Sequence, residues 1–244
     1  MTEHAGSDDG SPHTVRRRQL LSAGAAALFA ACLPGRLARA QPPRALEVQD
    51  LVEAAQRLNE AYLAGGDPNE ASYLYELASV AARLGPIPSM ELGPPFRGLM
   101  QTGMRHRGGP LVLIEWRMEA RSVYPAHNHP NYNGLTLGLE GRCRIRNFQA
   151  PGRYPPTDSR ATFTIRETQN DVLEPGRVVS MMTTSRSNIH KLQTGDTSVR
   201  GMDISTLVGE HVGFAFLDVD EASRNDEGEY EAVWEKTYGG YQVD

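Results

Sequence analysis

The residues in this sequence best suited to chemistry are histidines, and two of them, His127 and His129, stand one residue apart in the segment 125–130. Side chains of a β-strand alternate between its faces, so residues at this spacing point to the same side. Two imidazole nitrogens on one face, about 7 Å apart along the strand, can converge on one metal ion where the strand bends. Pro125 and Pro130 bracket the pair and fix its ends. The alternative interpretation is a pair of surface or capping histidines.

A third ligand must come from a distant strand, and His190 in the segment 187–190 is the best-placed histidine. It follows the turn-forming residues 174–176 and an apolar stretch typical of a strand. His106 and His211 would be the replacement ligands if His190 were not one. The sequence therefore predicts a mononuclear metal site made by the close pair and His190.

The expected site has no carboxylate ligand, because no Asp or Glu occurs from Pro130 to Leu139, just past the histidine pair. The common oxygenase site instead combines two histidines and one carboxylate on Fe²⁺. Without that anion a divalent ion keeps its full charge and favours an anionic ligand, and a thiolate is a strong candidate because metal coordination can deprotonate a thiol. The remaining positions on an octahedral iron would suit sulfur, an amine or water, and O2. Imidazole suits several metals, so the residue types alone do not fix the ion.

The segment 125–141 resembles the first sequence motif of the cupins, and the segment 175–190 resembles a looser second motif. More narrowly, the chain is similar to thiol dioxygenases of the cysteamine dioxygenase and plant cysteine oxidase type. In that group a His-x-His-Pro motif is followed, twelve residues after its second histidine, by a glycine that closes a hairpin, and Gly141 has this separation from His129. The third histidine of the group follows Asn-Ile, as His190 does here.

The resemblance covers residues 110–207 and implies a non-heme Fe²⁺ site held by the three histidines. It implies oxidation of a small aminothiol or a cysteine, free or N-terminal, to the sulfinate with O2. Asp203 lies near the position where the group carries an Asp close to the substrate amine, the other interpretation being an Asp at a strand edge. Tyr132, just past the histidine pair, is expected to line the pocket. The alternatives are another metal-dependent cupin enzyme or a non-catalytic periplasmic cupin that binds a metal or ligand.

The elements that must position these residues are short apolar or alternating segments separated by turn formers. Many such strands at regular spacing indicate a sandwich or barrel, the group to which cupins belong. Together with the resemblance, they predict a mostly β fold, a cupin double-stranded β-helix barrel over residues 96–219. The predicted strands are 111–118, 134–139, 142–148, 161–166, 171–173, 178–183, 189–193, 199–207 and 212–219.

A small helical subdomain is predicted before the barrel, over residues 41–95. Apolar residues recur at helical spacing over 46–63 and 69–84, and Gly-Gly and Gly-Pro pairs end the two segments. We expect these helices to pack against one face of the barrel. Residues 220–244 form an acidic and then aromatic C-terminal tail, either an ordered edge or a mobile flap.

The first forty residues carry an export signal. Three arginines at 16–18 precede an apolar run over 20–33, and Ala38–Arg39–Ala40 is a small-residue cleavage pattern. The twin arginines resemble a Tat signal, which predicts a periplasmic or secreted protein with no membrane span after cleavage. One alternative is a lipoprotein signal processed at Cys32, and another is a basic cytoplasmic tail with an amphipathic helix.

Composition limits the partners. The 244-residue chain has a formal net charge of -5, which argues against nucleic acid because phosphate binding needs a concentrated basic surface. The expected partners are a small-molecule thiol or a Cys-initiated peptide, and O2. Cleavage after Ala40 would remove Cys32 and leave Cys143 as the one remaining cysteine, so no intramolecular disulfide is expected. Cys143 is predicted to be a buried core thiol.

Overall fold

The computed structural model of the chain describes residues 44–64, 69–208 and 213–238. The predicted export signal over 1–40, with Cys32, and the alternative ligand His211 lie outside these residues. Among the described residues, no helix combines the length and the apolar character needed to cross a membrane.

Two helices precede the strands, α1 (Val48–Ala64) and α2 (Glu70–Ala81), close to the predicted bounds. Helix α2 begins after Asn69, whose side chain accepts a hydrogen bond from the backbone N–H of Ser72 at 3.1 Å and so caps the helix. The buried residues of α2 recur every three or four positions and make one apolar face. They are Tyr73, Leu74, Leu77 and Ala81.

The strands have the following bounds: β1 (Met100–Gly108), β2 (Leu111–Met118), β3 (Val123–Asn128), β4 (Tyr132–Glu140), β5 (Cys143–Gln149), β6 (Phe163–Leu173), β7 (Val178–Met182), β8 (Ile189–Thr194), β9 (Val199–Leu207), β10 (Phe214–Asp220) and β11 (Glu229–Tyr238). A five-stranded sheet has the order β1-β2-β9-β4-β7. The other strands have the order β10-β11-β6-β5-β8-β3 and close into a barrel, because β10 also pairs with β3. The prediction of a mostly β barrel with a small helical part is confirmed.

Strand β11 lies within the predicted C-terminal tail and pairs with both β10 and β6. Its side chains alternate, with Tyr230, Ala232 and Trp234 buried and Glu231 exposed between them. Of the two alternatives that the sequence left open for residues 220–244, this segment is therefore the ordered one. Strand β11 is one of the strands of the closed barrel, so the barrel extends beyond its predicted end at residue 219.

Three apolar clusters hold these layers together. The first packs α1 and α2 against the outer face of the five-stranded sheet, as predicted, and includes Leu51, Leu77 and Ile204. The second fills the space between the two sheets, with Trp116 and Leu192 among its members. The third lies among the strands of the closed barrel. The space between the two sheets is the one that receives the polar side chains described next.

Candidate metal centre

A bulge in β3 turns His127 towards the space between the two sheets. The pairing of β3 with β8 matches Tyr124 to Leu192 and His127 to His190, so β3 has one more residue than β8 over this stretch. Such an extra residue changes the face to which the following side chains point. Pro125 stands inside the bulge, where its missing N–H removes no ladder hydrogen bond. Tyr124 and His127 therefore share a face, with ring centroids 5.0 Å apart.

The other two histidines reach the same space from neighbouring positions. His129 lies directly after β3, and its backbone N–H donates to the carbonyl of Asn188 at 2.9 Å. His190 on β8 lies opposite His127 in the ladder. Because Leu192, two residues further along β8, belongs to the core between the sheets, the strand alternation directs His190 to that core as well.

The three imidazole rings form a nearly equilateral triangle. Ring centroids are 4.5 Å apart for His127–His190 and His129–His190 and 4.8 Å apart for His127–His129. One ring nitrogen from each histidine lies within 4.8 Å of the other two, and Nε2 of His127 is 3.0 Å from Nε2 of His190. Imidazole nitrogens about 2.1 Å from a metal ion are about 3 Å apart when they subtend a right angle. The structure thus brings all three predicted ligands together.

Burial keeps these rings uncharged at neutral pH. It lowers the pKa of His127 to about 4, against the opposing effect of a hydrogen bond to the backbone of Pro125. Burial also lowers the pKa of His129, with further lowering by the charges that His190 and His127 would carry. The pKa of His190 is lowered by burial and then by His127. The cluster therefore offers neutral nitrogen donors, the form that binds metal ions.

Hydrogen bonds determine which nitrogen of His127 and His190 is free to bind a metal ion. Nδ1 of His127 lies 3.0 Å from the carbonyl of Pro125, which only accepts, so Nδ1 carries the proton and Nε2 presents a lone pair. Nδ1 of His190 lies 3.2 Å from Oγ of Ser180. When this Nδ1–H donates to the serine, both Nε2 atoms present lone pairs towards each other, and a cation between them satisfies both.

The ring of His129 gives an independent test of whether a metal ion fits. Both of its nitrogens are buried and have no hydrogen-bond partner within the part of the chain that the structure describes. An unpaired buried nitrogen costs about 1–3 kcal/mol, which a metal ligand bond would offset. The converging group consists of His127, His129 and His190 and includes no carboxylate. The three side chains fit a mononuclear metal ion.

The two residues predicted to act on substrate differ in their relation to the cluster. The ring of Tyr132 lies 4.7 Å from that of His129, edge to face, and so contacts the cluster. Asp203 is not one of the converging groups. Its carboxylate accepts hydrogen bonds from Oγ1 of Thr136 at 2.8 Å and from Nε1 of Trp116 at 3.2 Å. Burial raises the pKa of Asp203 to about 6, although these hydrogen bonds oppose the shift.

Asp203 nevertheless faces the same space between the sheets. Met202 and Ile204, on either side of it, pack with the helices, so strand alternation directs Asp203 to the opposite face. Gly201 on that face leaves room for the indole of Trp116, because a Cβ there would lie 2.3 Å from the ring. Strand β9 lies between β2 and β4, so the interpretation of Asp203 as a strand-edge residue is wrong.

Four residues whose side chains contact the histidines were not predicted from the sequence. Ser180 contacts His190, and the rings of Tyr124, Phe214 and Phe216 lie 5.0, 6.0 and 5.7 Å from that of His127. Ser180 had one available signal, as a hydroxyl within the apolar segment 178–182. The two phenylalanines belong to β10, which is far from β3 in sequence, and only the β10–β3 pairing reveals their position.

Two further sequence candidates, Cys143 and His106, are not among the groups that converge with the three histidines. Cys143 is a buried free thiol, as predicted, and burial raises its pKa to about 12, with a smaller contribution from Asp203. His106 lies on β1 at the edge of the five-stranded sheet.

Comparison with known proteins finds likeness at the level of solved structures. No protein-family model matches the chain, and no curated protein sequence does. The cupin domain of Cnp3 from Schizosaccharomyces pombe is 11% identical over 49% of this chain and 70% of that chain, with a TM-score of 0.36. A sugar phosphate isomerase of the cupin superfamily from Silicibacter pomeroyi is 10% identical over 55% and 76%, with a TM-score of 0.36. Procruciferin, an 11S globulin from Brassica napus, is 7% identical over 48% of this chain and 27% of that chain, with a TM-score of 0.35.

The fold is the predicted mostly β barrel with a small helical N-terminal part. Its space between the sheets contains a buried trio of histidines, His127, His129 and His190, whose nitrogens converge. The fold and this cluster together define a mostly β barrel with a candidate metal centre.

Proposed function

We propose that the chain is a non-heme iron thiol dioxygenase that oxidises a small aminothiol or a cysteine, free or N-terminal, to the sulfinate with O2. The observation that carries this proposal is the make-up of the cluster, in which three neutral imidazoles converge and no carboxylate of the described residues joins them. A bound Fe²⁺ ion would keep its full charge in this set of ligands and would attract a thiolate and supply the redox chemistry.

The residues around the cluster would hold the thiol and exclude water. Tyr124, Phe214 and Phe216 pack around the ring of His127 with centroid distances of 5.0, 6.0 and 5.7 Å. Tyr132 packs on His129 on another side. An apolar surround of this kind suits a small sulfur compound and keeps bulk water from the reacting atoms.

Asp203 is assigned the role of binding the amino group of the substrate. Both aminothiols and cysteine carry an ammonium next to the thiol, and Asp203 is a carboxylate that faces the same space as the histidines. An ammonium nearby would lower the raised pKa of Asp203 and keep the carboxylate ionised. Thr136 and Trp116 donate to one oxygen of the carboxylate and fix its orientation.

The proposed reaction is balanced without a further reductant. The thiol sulfur is oxidised, O2 is reduced, and both oxygen atoms form bonds to sulfur. All the electrons come from the sulfur, and the thiol proton is released to solvent or remains on the sulfinic acid. The reaction therefore needs one metal ion and two substrates, and one group of three converging ligands is present within the described part of the chain.

The proposal includes export, because residues 16–40 carry the features of a Tat-type signal. The Tat route carries folded proteins. A metal ion bound in the cytoplasm would then be carried out inside the folded barrel. Detection of the protein in the periplasm, and its loss when Arg17 and Arg18, the pair followed by Gln-Leu-Leu, are replaced by lysine, would test this part separately.

The catalytic proposal is tested with the purified protein loaded with Fe²⁺ under anaerobic conditions. We expect O2 consumption with cysteamine, cysteine or a Cys-initiated peptide, and a product heavier by two oxygen atoms in mass spectrometry. A His190→Ala variant should consume no O2. Iron bound without O2 consumption on any of these thiols would overturn the dioxygenase assignment and leave a metal-binding cupin.

A further inference from the structure

Ser180 occupies an unusual position for a serine. It is fully buried in β7, in the sheet opposite to that of His190, and its backbone has a φ of +56°. Residues other than glycine adopt this left-handed region at a cost of about 1–2 kcal/mol. Such backbone strain persists where the surrounding structure holds it in place, often at functional sites.

A bulge in β7 is the cause of this conformation. The pairing of β4 with β7 matches Gly134 to Met182 and Thr136 to Val179, so β7 has one more residue over this stretch. Val179 and Ser180 are consequently both buried, although neighbours on a regular strand point to opposite faces. The bulge directs the hydroxyl of Ser180 across the space between the sheets.

The hydroxyl meets a ring nitrogen of one of the three clustered histidines. Oγ of Ser180 lies 3.2 Å from Nδ1 of His190, while Nε2 of His190 points to Nε2 of His127 at 3.0 Å. A hydrogen bond from Nδ1–H to the hydroxyl fixes the ring orientation and leaves the Nε2 lone pair free. The carbonyl of Pro125 does the same for His127 from Nδ1 at 3.0 Å. Both supports are produced by bulges, one in β3 and one in β7.

We propose that Ser180 is a positioning residue that sets the tautomer and orientation of His190 for metal binding. The inference rests on the metal-binding part of the proposed function. Hydrogen-bond partners of metal-binding histidines contribute about 10–100-fold to metal affinity. A glycine would fit the backbone of this bulge better than serine does, so the presence of a hydroxyl here is explained by its contact with His190.

Replacement of Ser180 by glycine separates the positioning role from a structural one. In the Ser180→Gly variant the backbone strain is relieved and the hydroxyl is lost. We expect thermal stability of the metal-free protein to be unchanged or higher, and the affinity for Co²⁺, measured by competition with a chelator, to fall about 10–100-fold. Ser180→Ala, which keeps the Cβ and loses the hydroxyl, should show a similar loss of affinity.

Ser187 provides a matched control. It is also a serine in the left-handed region, with a φ of +55°, but its hydroxyl donates to Thr168 at 2.9 Å. The Ser187→Gly variant should bind Co²⁺ as the wild type does. In the Zn²⁺-loaded wild type, long-range ¹H–¹⁵N spectra should show the proton of His190 on Nδ1.

The outcomes distinguish the two levels of the proposal. Wild-type protein that binds no Co²⁺ or Zn²⁺ overturns the metal centre and the role of Ser180 with it. Wild-type protein that binds the ion while Ser180→Gly and Ser180→Ala bind it equally well overturns the role of Ser180 alone. A proton found on Nε2 of His190 in the Zn²⁺-loaded protein has the same consequence.

Discussion

Two polar clusters among the described residues have opposite character. The histidine cluster consists of uncharged side chains of one type whose ring nitrogens face each other. The ion-pair cluster joins opposite charges on β1, β2, β4 and β9. Its members are Arg105, Glu115, Glu140 and Arg200.

In the ion-pair cluster, almost every polar group has a partner. Arg200 donates to Glu115 at 2.9 Å, to Glu140 at 2.7 Å and to the carbonyl of Ile87 at 2.9 Å, and only its Nε is unpaired. Arg105 donates to the other oxygen of Glu115. Charges removed from water are stable only when they are paired in this way. The cluster is complete as it stands, so its role is to fix the packing of the strands.

The histidine cluster differs because its ring nitrogens do not all have partners. Nε2 of His127 has a lone pair, and both nitrogens of His129 are without a hydrogen-bond partner among the described residues. Burying such groups together is unfavourable unless a further group binds to them. A buried cluster of one residue type with unpartnered ring nitrogens indicates a ligand, whereas a charge-balanced cluster indicates a structural role.

The largest expected effect follows from removing one nitrogen of the unsatisfied cluster. His190→Ala leaves two ligands, and we expect metal affinity to fall by more than about 100-fold, beyond the effect of losing a hydrogen-bond partner. Metal content after dialysis, measured by elemental analysis, checks this. His106→Ala is the control, since Nε2 of His106 is also buried and unpaired but stands apart from the cluster. Equal loss of metal in both variants would contradict the assignment of the site.

The opposite result is expected for the charge-balanced cluster. Arg200→Met leaves the buried carboxylate of Glu115 with one cationic partner, and breaking a buried pair costs about 3–5 kcal/mol. We expect Tm to fall by about 6–20 °C for a chain of this size, with metal stoichiometry unchanged in the folded protein. Arg121→Met should have little effect, because the pair Arg121–Asp196 is exposed. Loss of metal at unchanged Tm in Arg200→Met would contradict the structural role of the ion-pair cluster.

Asp203 belongs to neither cluster. Its raised pKa is expected to make the stability of the fold depend on pH, an effect of intermediate size. Because the pKa of Asp203 is about 6 in the folded chain and its ordinary value is 3.8, the folded state holds the proton more tightly. The stability contributed by this group is present below about pH 4 and is lost as pH rises through about 6, by about 2–3 kcal/mol. Asp203→Asn should lack this loss, so its stability relative to wild type should increase between pH 4 and pH 7. Urea unfolding at both pH values checks this, and a pH-independent difference would contradict it.

The sequence predicted the histidines and most of the strands because each has a local pattern. Strands β2 and β9 have the predicted bounds, and the histidine pair is recognisable from its spacing alone. Strand β1 was not predicted, because its residues are largely polar and interrupted by glycine. Strand β2 begins with four apolar residues, and apolar and polar residues then alternate in β2 and over part of β9, which is the signal that periodicity can detect.

The residues that pack around the histidines could not be predicted from the sequence, and the reason is physical. Ser180 and Phe214 reach the histidines through a bulge and through a strand pairing between distant segments. Neither a bulge nor a long-range register leaves a periodic signal in the sequence. Asp203 could be named by resemblance, but only the order β2-β9-β4 shows that it is central and not at an edge.

Glu70 connects the helices to the site and carries the smallest of these effects. Its carboxylate accepts hydrogen bonds from the backbone N–H of Thr184 at 2.9 Å, from the hydroxyl of Thr184 at 3.0 Å and from Nδ2 of Asn133 at 2.9 Å. Thr184 lies in the loop before His190, and Asn133 follows the histidine pair. Glu70 is a carboxylate, like the acidic members of the ion-pair cluster, but its hydrogen-bond partners here are uncharged, as in the histidine cluster.

Glu70→Gln keeps the shape and removes the charge, which weakens these hydrogen bonds by about 1 kcal/mol in total. We expect the amide of Thr184 to exchange with solvent about fivefold faster, while Tm changes by only a few degrees. Glu76→Gln on the exposed face of the same helix is the matched control and should leave this exchange rate unchanged. If Glu70→Gln instead lowered metal affinity as strongly as His190→Ala, the helices would be part of the metal site, and the separation between a ligand-binding cluster and its structural surroundings would not hold.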